Sequence, residues 1–136
     1  MTEKTIIHTP DAPAAIGPYS QAVMAGPFLF VSGQLPLDPE TGDLATDITD
    51  ATHRCLQNIK AILADQGLTF ADVVKNTVYL ADMAEFDAFN QAYAVYFRGR
   101  APARVTVGVD ALPKGAKVEI ECIALVRQTG THSPLI

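Results

Sequence analysis

Arg104 is a charged side chain at the start of a predicted strand, and the residues before it restrict its position. It opens the stretch RVTVGV, directly after Ala101-Pro102-Ala103. A guanidinium stays protonated and binds a carboxylate through two parallel hydrogen bonds, and Pro102 limits the direction from which the chain enters a strand. Arg104 is therefore either an anchor for a carboxylate or an ordinary surface arginine at the end of a strand.

Two carboxylates, Glu119 and Glu121, interrupt the apolar segment VEIECIAL. Because side chains alternate along a strand, both point to the same face. A carboxylate can orient a water molecule and accept its proton as the water attacks an electrophilic carbon. Either glutamate fits that task, and either also fits an exposed position on a strand.

The histidines and cysteines do not extend this chemistry. His8, His53 and His132 are scattered along the chain, and Cys55 and Cys122 are isolated from each other. Such spacing fits neither a zinc site nor a disulfide framework. We therefore expect no metal ion and no cofactor, and two unpaired cysteines are typical of the reducing cytoplasm.

The composition limits the class of protein. The chain has 136 residues, of which 49% are hydrophobic and 18% are charged, with a net charge of −5. This length and apolar content predict one folded domain. The negative charge argues against a protein that binds the backbone of nucleic acids. The apolar runs are too short for a membrane span or a signal peptide, so we expect a cytoplasmic protein without nucleic-acid or membrane partners.

The hydrophobic pattern predicts the element order β-β-β-α-β-α-β-β. The first helix begins at the capping residue Asp47 and ends at Gly67. The second follows a capping-box-like pair, Asp82 and Glu85, and carries an aromatic stripe of Phe86, Phe89, Tyr93 and Phe97. Strands are predicted at residues 4–8, on both sides of a turn within 22–34, and at 72–80, 104–109 and 117–126.

The last predicted strand indicates how the layers pack. One of its faces is apolar throughout, and the other combines the two glutamates with Ile123 and Leu125. Two helices cover only one face of a mixed sheet, which predicts an α+β fold. A second face that is also partly apolar is best covered by another subunit.

Five segments, in their order and spacing, resemble the RidA (YjgF/YER057c/UK114) family of reactive-intermediate deaminases. They are IGPYSQAV, FVSGQLPLDPETG, NIKAILADQGLTFADVVKNTVYLADM, FNQAY and PARVTV…LPKGAKVEIECIA, which together cover nearly all of residues 4–126. The resemblance implies a chorismate-mutase-like α+β fold and a homotrimer with pockets between subunits. It also implies hydrolysis of 2-imino and 2-enamino acids, such as 2-iminobutanoate and 2-iminopropanoate, to 2-oxo acids and ammonia.

The resemblance also assigns roles to individual residues. It places Arg104 on the carboxylate anchor and Glu119, ahead of Glu121, beside the hydrolytic water. Thr106 occupies a substrate-binding position that is cysteine in some members, so a catalytic thiol is excluded there. The remaining substrate-binding positions are Tyr19, Ser32, Gly33 and Asn90.

Each of these positions also has a purely structural interpretation. Tyr19 would be a packed loop aromatic, Ser32 and Gly33 a strand bulge, and Asn90 a solvated helix residue. Residues 1–126 are expected to form a single domain and 127–136 a flexible tail. Two other functions stay open: a non-catalytic module that binds small carboxylates and, with less support, a ribonuclease-type translation inhibitor.

Overall fold

The alternating and amphipathic segments fold in the predicted order, and the computed structural model describes residues 3–127. The strands are β1 (Thr5–Ile7), β2 (Ala22–Ala25), β3 (Phe28–Gln34), β4 (Val73–Leu80), β5 (Ala103–Gly108) and β6 (Val118–Leu125). The helices are α1 (Ile48–Asp65) and α2 (Phe86–Ala94). Within residues 3–127, neither helix is long and apolar enough to cross a membrane. The α+β class and the element order are therefore confirmed, with strand ends shifted by about one residue.

Helix α1 begins and ends where its sequence signals predict. The Asp47 carboxylate accepts a hydrogen bond from Asp50 N at 3.1 Å, which satisfies one of the free N–H groups of the first turn. Gly67 adopts a φ of 71° just after the helix, a left-handed conformation that glycine adopts without strain. Between these ends, α1 buries an apolar stripe that includes Cys55, Ile59 and Ile62 against the sheet.

The start of α2 differs from the predicted capping box. Asp82 accepts from Ala84 N at 2.9 Å, but it caps a separate 3₁₀ turn at Met83–Glu85. The Glu85 carboxylate lies 3.5 Å from Lys117 Nζ, because this distant lysine offers it a full positive charge. The capping role predicted for Asp82 is therefore present, whereas the predicted return contact from Glu85 to Asp82 is wrong.

The aromatic stripe also runs past the end of α2. The helix stops at Ala94, so Phe97 lies beyond it, contrary to the sequence prediction. Its ring still stacks on Tyr93, with centroids 4.6 Å apart. A column of aromatic contacts thus continues after the helical hydrogen bonds have ended.

The six strands form one mixed sheet in the order β1-β2-β3-β6-β4-β5. The pair β4–β5 is parallel and the other neighbouring pairs are antiparallel. Both helices lie on one face, which we call the helix face, and the other is called the open face. Strand β6, near the middle of the sheet, buries Val118, Ile120, Cys122 and Ala124 on the helix face.

Register places neighbouring residues in rows that run across the sheet. One row on the helix face joins Cys122, Asn76 and Arg104. The next row, on the open face, joins Glu121, Thr77 and Val105. Arg104 and the two glutamates of β6 therefore lie on opposite faces of the sheet of one chain.

The open face carries large apolar side chains that a single chain leaves in water. Phe30 is 44% exposed and Leu125 is 44% exposed, and Phe30 pairs in register with the half-buried Ile123. The parallel edge strand adds Val105 and Val107 to the same face. A contiguous apolar surface of this kind is typical of a subunit interface.

Replacing Phe30 with aspartate is expected to weaken self-association without unfolding the chain. The carboxylate would have to lose its water on assembly, at a cost of several kcal/mol, while Phe30 is already exposed within one chain. Light scattering at micromolar concentration measures the assembly, and circular dichroism measures the fold. Val95→Asp is the control, because Val95 is 52% exposed but follows α2 on the helix side. A monomeric wild type would contradict the interpretation of the open face.

Candidate active site

A cavity of about 590 Å³ lies where β3 ends and β6 begins. Its walls come from the loop before β2, from β3, from the turn before β6 and from β6 itself. The side chains that offer chemistry or shape there are Ile16, Tyr19, Ser32, Gly33, Glu119 and Glu121. The cavity therefore gathers Tyr19, Ser32, Gly33 and Glu119, which the sequence resemblance assigned to one site.

Glu119 packs directly on Gly33. A Cβ placed on Gly33 would lie 2.8 Å from the carboxyl carbon of Glu119 and would also clash with its Oε2. The register between β3 and β6 shifts between Val31 and Gln34, so Gly33 lies in a bulge-like irregularity of the pairing. It also lines the cavity, so a strand irregularity and a substrate-binding position are compatible interpretations of this glycine.

Burial sets the electrostatics of Glu119. Loss of hydration raises the pKa of this carboxyl above its ordinary value, and the charge of Glu121 raises it further. Among residues 3–127 no hydrogen bond or ion pair of the Glu119 carboxylate is found. An unpaired, half-buried carboxylate with a raised pKa is a better proton acceptor than an exposed one.

Glu121 differs from Glu119 in having a partner. Tyr79 Oη donates to Glu121 Oε1 at 2.8 Å from the neighbouring strand β4. This hydrogen bond is the main reason that the pKa of Tyr79 is raised, and burial adds to the effect. Since one oxygen of Glu121 is committed to a phenol, the contacts favour Glu119 as the carboxylate available to a water molecule.

Gln21 holds the loop that forms the outer wall of the cavity. Its buried amide donates to Pro13 O at 2.8 Å and to Thr9 O at 3.0 Å, and its Oε1 accepts from Thr9 N at 2.7 Å. Ser32 adds a tie, because its hydroxyl donates to Ser20 O at 2.6 Å. The loop residues before β2 are thus held by side-chain hydrogen bonds in place of regular secondary structure.

Tyr19 lies at the end of this loop and is 54% exposed. Its ring packs near Gly17, whose φ of 127° is accessible to glycine. The sequence left open whether Tyr19 is a packed aromatic or a pocket wall. Its exposure, together with its place in the lining, favours the pocket wall.

Lys114 also lines the cavity. It lies in the Pro113–Gly115 turn and, although it is not a glycine, it adopts a positive φ of 61°. A left-handed residue with a side chain costs on the order of 1 kcal/mol, so the surrounding turn must enforce it. Sequence reasoning missed this residue, although Pro-Lys-Gly is a recognisable turn signal.

Arg104 lies outside this cavity. Its Nη1 donates to Asn90 Oδ1 of α2 at 2.7 Å, and its guanidinium carbon lies 4.7 Å from the centroid of the Tyr93 ring. Thr106, two positions along β5, buries an Oγ1 that lacks a hydrogen-bond partner among residues 3–127. Arg104, Asn90 and Thr106 therefore form a second group at the edge strand.

The predicted site residues thus fall into two clusters that one chain does not bring together. The cavity cluster holds Tyr19, Ser32, Gly33 and Glu119, and the arginine cluster holds Arg104, Asn90 and Thr106. Within residues 3–127 no three histidine, cysteine or acidic side chains gather as metal ligands. Any site that uses both clusters must combine them from two copies of the chain.

Residues 9–126 match the protein family described as Endoribonuclease L-PSP. A RutC family protein of Pyrococcus horikoshii is 53% identical over 122 residues, which cover 89% of this chain and 97% of that protein. The 2-iminobutanoate/2-iminopropanoate deaminase of Mus musculus is 46% identical over 123 residues, which cover 90% of this chain and 91% of that protein.

Solved structures share the fold. A Rid family protein of unknown function from Yersinia pestis superposes with a TM-score of 0.88 at 48% identity, covering 91% of this chain and 100% of that chain. The structure of Escherichia coli TdcF with bound serine gives a TM-score of 0.86 at 42% identity, covering 89% and 98% of the two chains. The fold implied by the sequence resemblance is therefore confirmed.

Replacing Gly33 with alanine is expected to displace Glu119 while leaving the fold intact. The new Cβ would occupy the space of the Glu119 carboxyl group, so the side chain must rotate away from the cavity floor. A crystal structure of the variant measures that displacement. Gly42→Ala is a control for the loss of a glycine, because no atom lies within 4 Å of its Cβ position, although its φ of 80° makes that substitution strained. An unmoved Glu119 carboxylate would contradict the packing argument.

Proposed function

The chain belongs to the Endoribonuclease L-PSP family, and from that premise we propose that it is a hydrolase that converts small 2-imino acids into 2-oxo acids and ammonia. The observation that carries the proposal is the Glu119 carboxylate, half-buried on a cavity wall with a raised pKa and without a competing partner. Relatives named 2-iminobutanoate/2-iminopropanoate deaminase and Reactive Intermediate Deaminase A each match 90% of this chain. Many other relatives carry only the RutC family name, so the specific activity needs a direct test.

In this proposal the arginine cluster recognises the carboxylate of the substrate. A guanidinium binds a carboxylate in two parallel hydrogen bonds, and the bond to Asn90 fixes the plane of the Arg104 group. The buried Thr106 hydroxyl lies on the same face of β5 and can donate to or accept from the substrate. Tyr19 and Ile16 supply a wall for the substrate side chain.

The cavity cluster carries out the chemical step. The substrate is the protonated imine, and the oxygen of a water molecule bonds to its C2 while one proton passes to Glu119. The π electrons of the C=N bond move to nitrogen. Glu119 then returns the proton to that nitrogen, the C–N bond breaks, and its electron pair leaves on ammonia. The remaining hydroxyl loses its proton to the departing ammonia and becomes the ketone of the 2-oxo acid.

The division of the two clusters supports a site shared between subunits. Strand β5 is the edge of the sheet, and its Val105 and Val107 belong to the open face. A neighbouring chain that packs over this edge can reach past the open face to Arg104 and bring its own Glu119 close. We propose a homotrimer in which each site combines the arginine cluster of one chain with the cavity cluster of the next. Closed rings formed by such head-to-tail contacts are common among homo-oligomers.

The alternative functions receive less support from the site. A carboxylate-binding module would need the arginine cluster alone and gives no reason for an unpaired, half-buried glutamate. A ribonuclease would place a phosphodiester beside Glu119 and Glu121, where like charge opposes binding. Release of 2-oxo acid and ammonia separates the hydrolase from both alternatives.

The pH dependence of hydrolysis is expected to report the raised pKa of Glu119. The base must be ionised, so kcat/KM falls as the pH drops through this pKa, and the acidic limb lies above the pH of an ordinary glutamate. Glu121→Gln removes the second cause of the shift and should move the limb to lower pH. The assay couples a dehydratase to the protein and times imine loss at a series of pH values on both sides of the acidic limb.

Glu119→Gln provides the matched comparison, because the amide keeps the shape and loses the proton-accepting charge. It should abolish the acidic limb together with most of the activity, at an unchanged melting temperature or a higher one. The reverse result, with Glu119→Gln active and Glu121→Gln inactive, would transfer the base to Glu121.

Mixing two impaired variants is expected to raise activity well above that of either parent if the site is shared. Arg104→Lys keeps the charge but loses at least one charge-assisted hydrogen bond, worth about 1.5–3 kcal/mol, or roughly tenfold to hundredfold in kcat/KM. When Arg104→Lys and Glu119→Gln chains assemble together, about a quarter of the sites combine two unmodified halves. Co-expression followed by the coupled assay measures the recovery.

The double variant carrying both changes in one chain, co-expressed with wild type at the same ratio, is the control. In this mixture every unmodified half-site comes from wild-type chains, so its activity shows how co-assembly with a variant chain affects the rate when no complementation between variants is possible. Mixed single variants that stay as inactive as their parents would show that Arg104 and Glu119 act within one chain, or that one of them does not act.

A further inference from the structure

We propose that Tyr93 is the positioning residue for Arg104, and that the buried Asn76 holds Tyr93 in place for this purpose. Neither residue was expected from the sequence to belong to the site. The inference deepens the proposed function by identifying what orients the carboxylate anchor. It depends on that function only for the ligand, since the position of Arg104 is measurable on its own.

Three aromatic rings surround the Arg104 guanidinium, and Tyr93 is the nearest. The guanidinium carbon lies 4.7 Å from the Tyr93 centroid, against 5.7 Å for Phe89 and 5.8 Å for Phe86. A guanidinium within about 6 Å of a ring face is attracted by the ring quadrupole. Burial raises the pKa of Tyr93, so the phenol is neutral at physiological pH and the contact is of the cation–π type.

Asn76 restrains Tyr93 from the sheet. Its Nδ2 lies 2.8 Å from Tyr93 Oη and donates to it, and the Asn76 side chain has no solvent exposure. Asn76 is also the direct register neighbour of Arg104 across the β4–β5 pair. A buried amide costs stability where it is left unbonded, and Asn76 Oδ1 has no partner among residues 3–127. The bond from Nδ2 to the phenol is therefore the contact by which Asn76 links the core of the sheet to the ring beneath Arg104.

The guanidinium is thereby held on two sides. Tyr93 contacts its face, and Asn90 accepts from Nη1 at its edge. The guanidinium also lies close enough to the Tyr93 hydroxyl to lower the pKa of that phenol, against the larger effect of burial. Donors that neither Asn90 nor Tyr93 engages within residues 3–127 can point toward a ligand. Fixing the plane of the fork before binding lowers the entropy lost when a carboxylate is bound.

Tyr93 also has a structural role that the test must separate. Its ring stacks on Phe89 at 5.4 Å and on Phe97 at 4.6 Å between centroids, and it is 6% exposed. Any truncation of Tyr93 therefore lowers the free energy of unfolding. A loss of affinity counts toward the inference only if it requires Arg104.

A double-mutant cycle measures whether the effect of Tyr93 on affinity depends on Arg104. Calorimetry measures the affinity, and 2-oxobutanoate is the probe. Tyr93→Leu should weaken binding about tenfold in the wild-type background, the size of a desolvated cation–π contact. In the Arg104→Ala background the same change should alter affinity less than about twofold, because the coupled partner is gone. Tyr93→Phe keeps the ring but loses the hydrogen bond from Asn76, so, like Asn76→Val, it should weaken binding by an intermediate amount of about threefold.

The matched control is Tyr96→Leu. Tyr96 stacks on Phe70 at 5.3 Å and bonds His53 at 2.8 Å, yet it has no recorded contact with Arg104 among residues 3–127. It should lower stability like Tyr93→Leu while leaving 2-oxobutanoate affinity unchanged. If Tyr93→Leu does not fold, Asn76→Val removes the anchor of Tyr93 and takes its place in the same cycle.

A second measurement tests positioning without any ligand. The ¹⁵N relaxation of Arg104 Nε should report an ordered side chain in the wild type and in Tyr96→Leu, and a mobile one in Tyr93→Leu. Equal order in all three proteins, or additive losses of affinity in the cycle, would overturn the inference. If wild type does not bind 2-oxobutanoate while Arg104 Nε is still ordered through Tyr93, the proposed function fails and the positioning role stands.

Discussion

A sheet covered by helices on one face only is the constraint on which the rest of this structure depends. Because side chains alternate across the sheet, each strand that carries functional residues presents them to one of two different environments. Strand β5 sends Arg104 toward α2, whereas β6 sends Glu119 to the side without helices. A single chain therefore separates its guanidinium from its carboxylate, and the same one-sided covering leaves the apolar side chains of the open face exposed.

The two clusters prepare their charged groups in opposite ways. Arg104 keeps its charge, because rings and the Asn90 amide surround the guanidinium without removing its remaining donors. Glu119 loses hydration and gains a like-charged neighbour, Glu121, and both changes make its proton affinity higher. Binding a carboxylate calls for a fixed cation, and accepting a proton from water calls for a basic carboxylate, so each environment suits the role that we propose for its residue.

Polar residues at buried positions hold irregular segments around the cavity. Gln21 satisfies backbone groups of the loop before β2. Asn58 of α1 donates to Leu35 O and Leu37 O, each at 3.0 Å, beyond the end of β3. Both are amides, whose N–H groups donate to loop carbonyls that have no strand partner. These side-chain bonds hold the cavity walls where regular secondary structure is absent.

The element order, the α+β class and the two faces of β6 were predictable from the sequence, because they follow from local periodicity and capping chemistry. Asp47 directly precedes α1, and Gly67 follows its last residue, Asp65, by two positions. The motif resemblance also selected Glu119, Arg104 and Asn90.

The side-chain contacts between elements were not predictable from the sequence. Glu85 pairs with Lys117 and not with Asp82. The Glu119 carboxyl group packs on Gly33, in the space that a Cβ there would need. Asn76 donates a hydrogen bond to Tyr93, whose ring lies beneath Arg104. Those partners lie on different elements, and only the packing of β4, β5 and α2 brings them within contact distance, so no local pattern in the sequence can specify them.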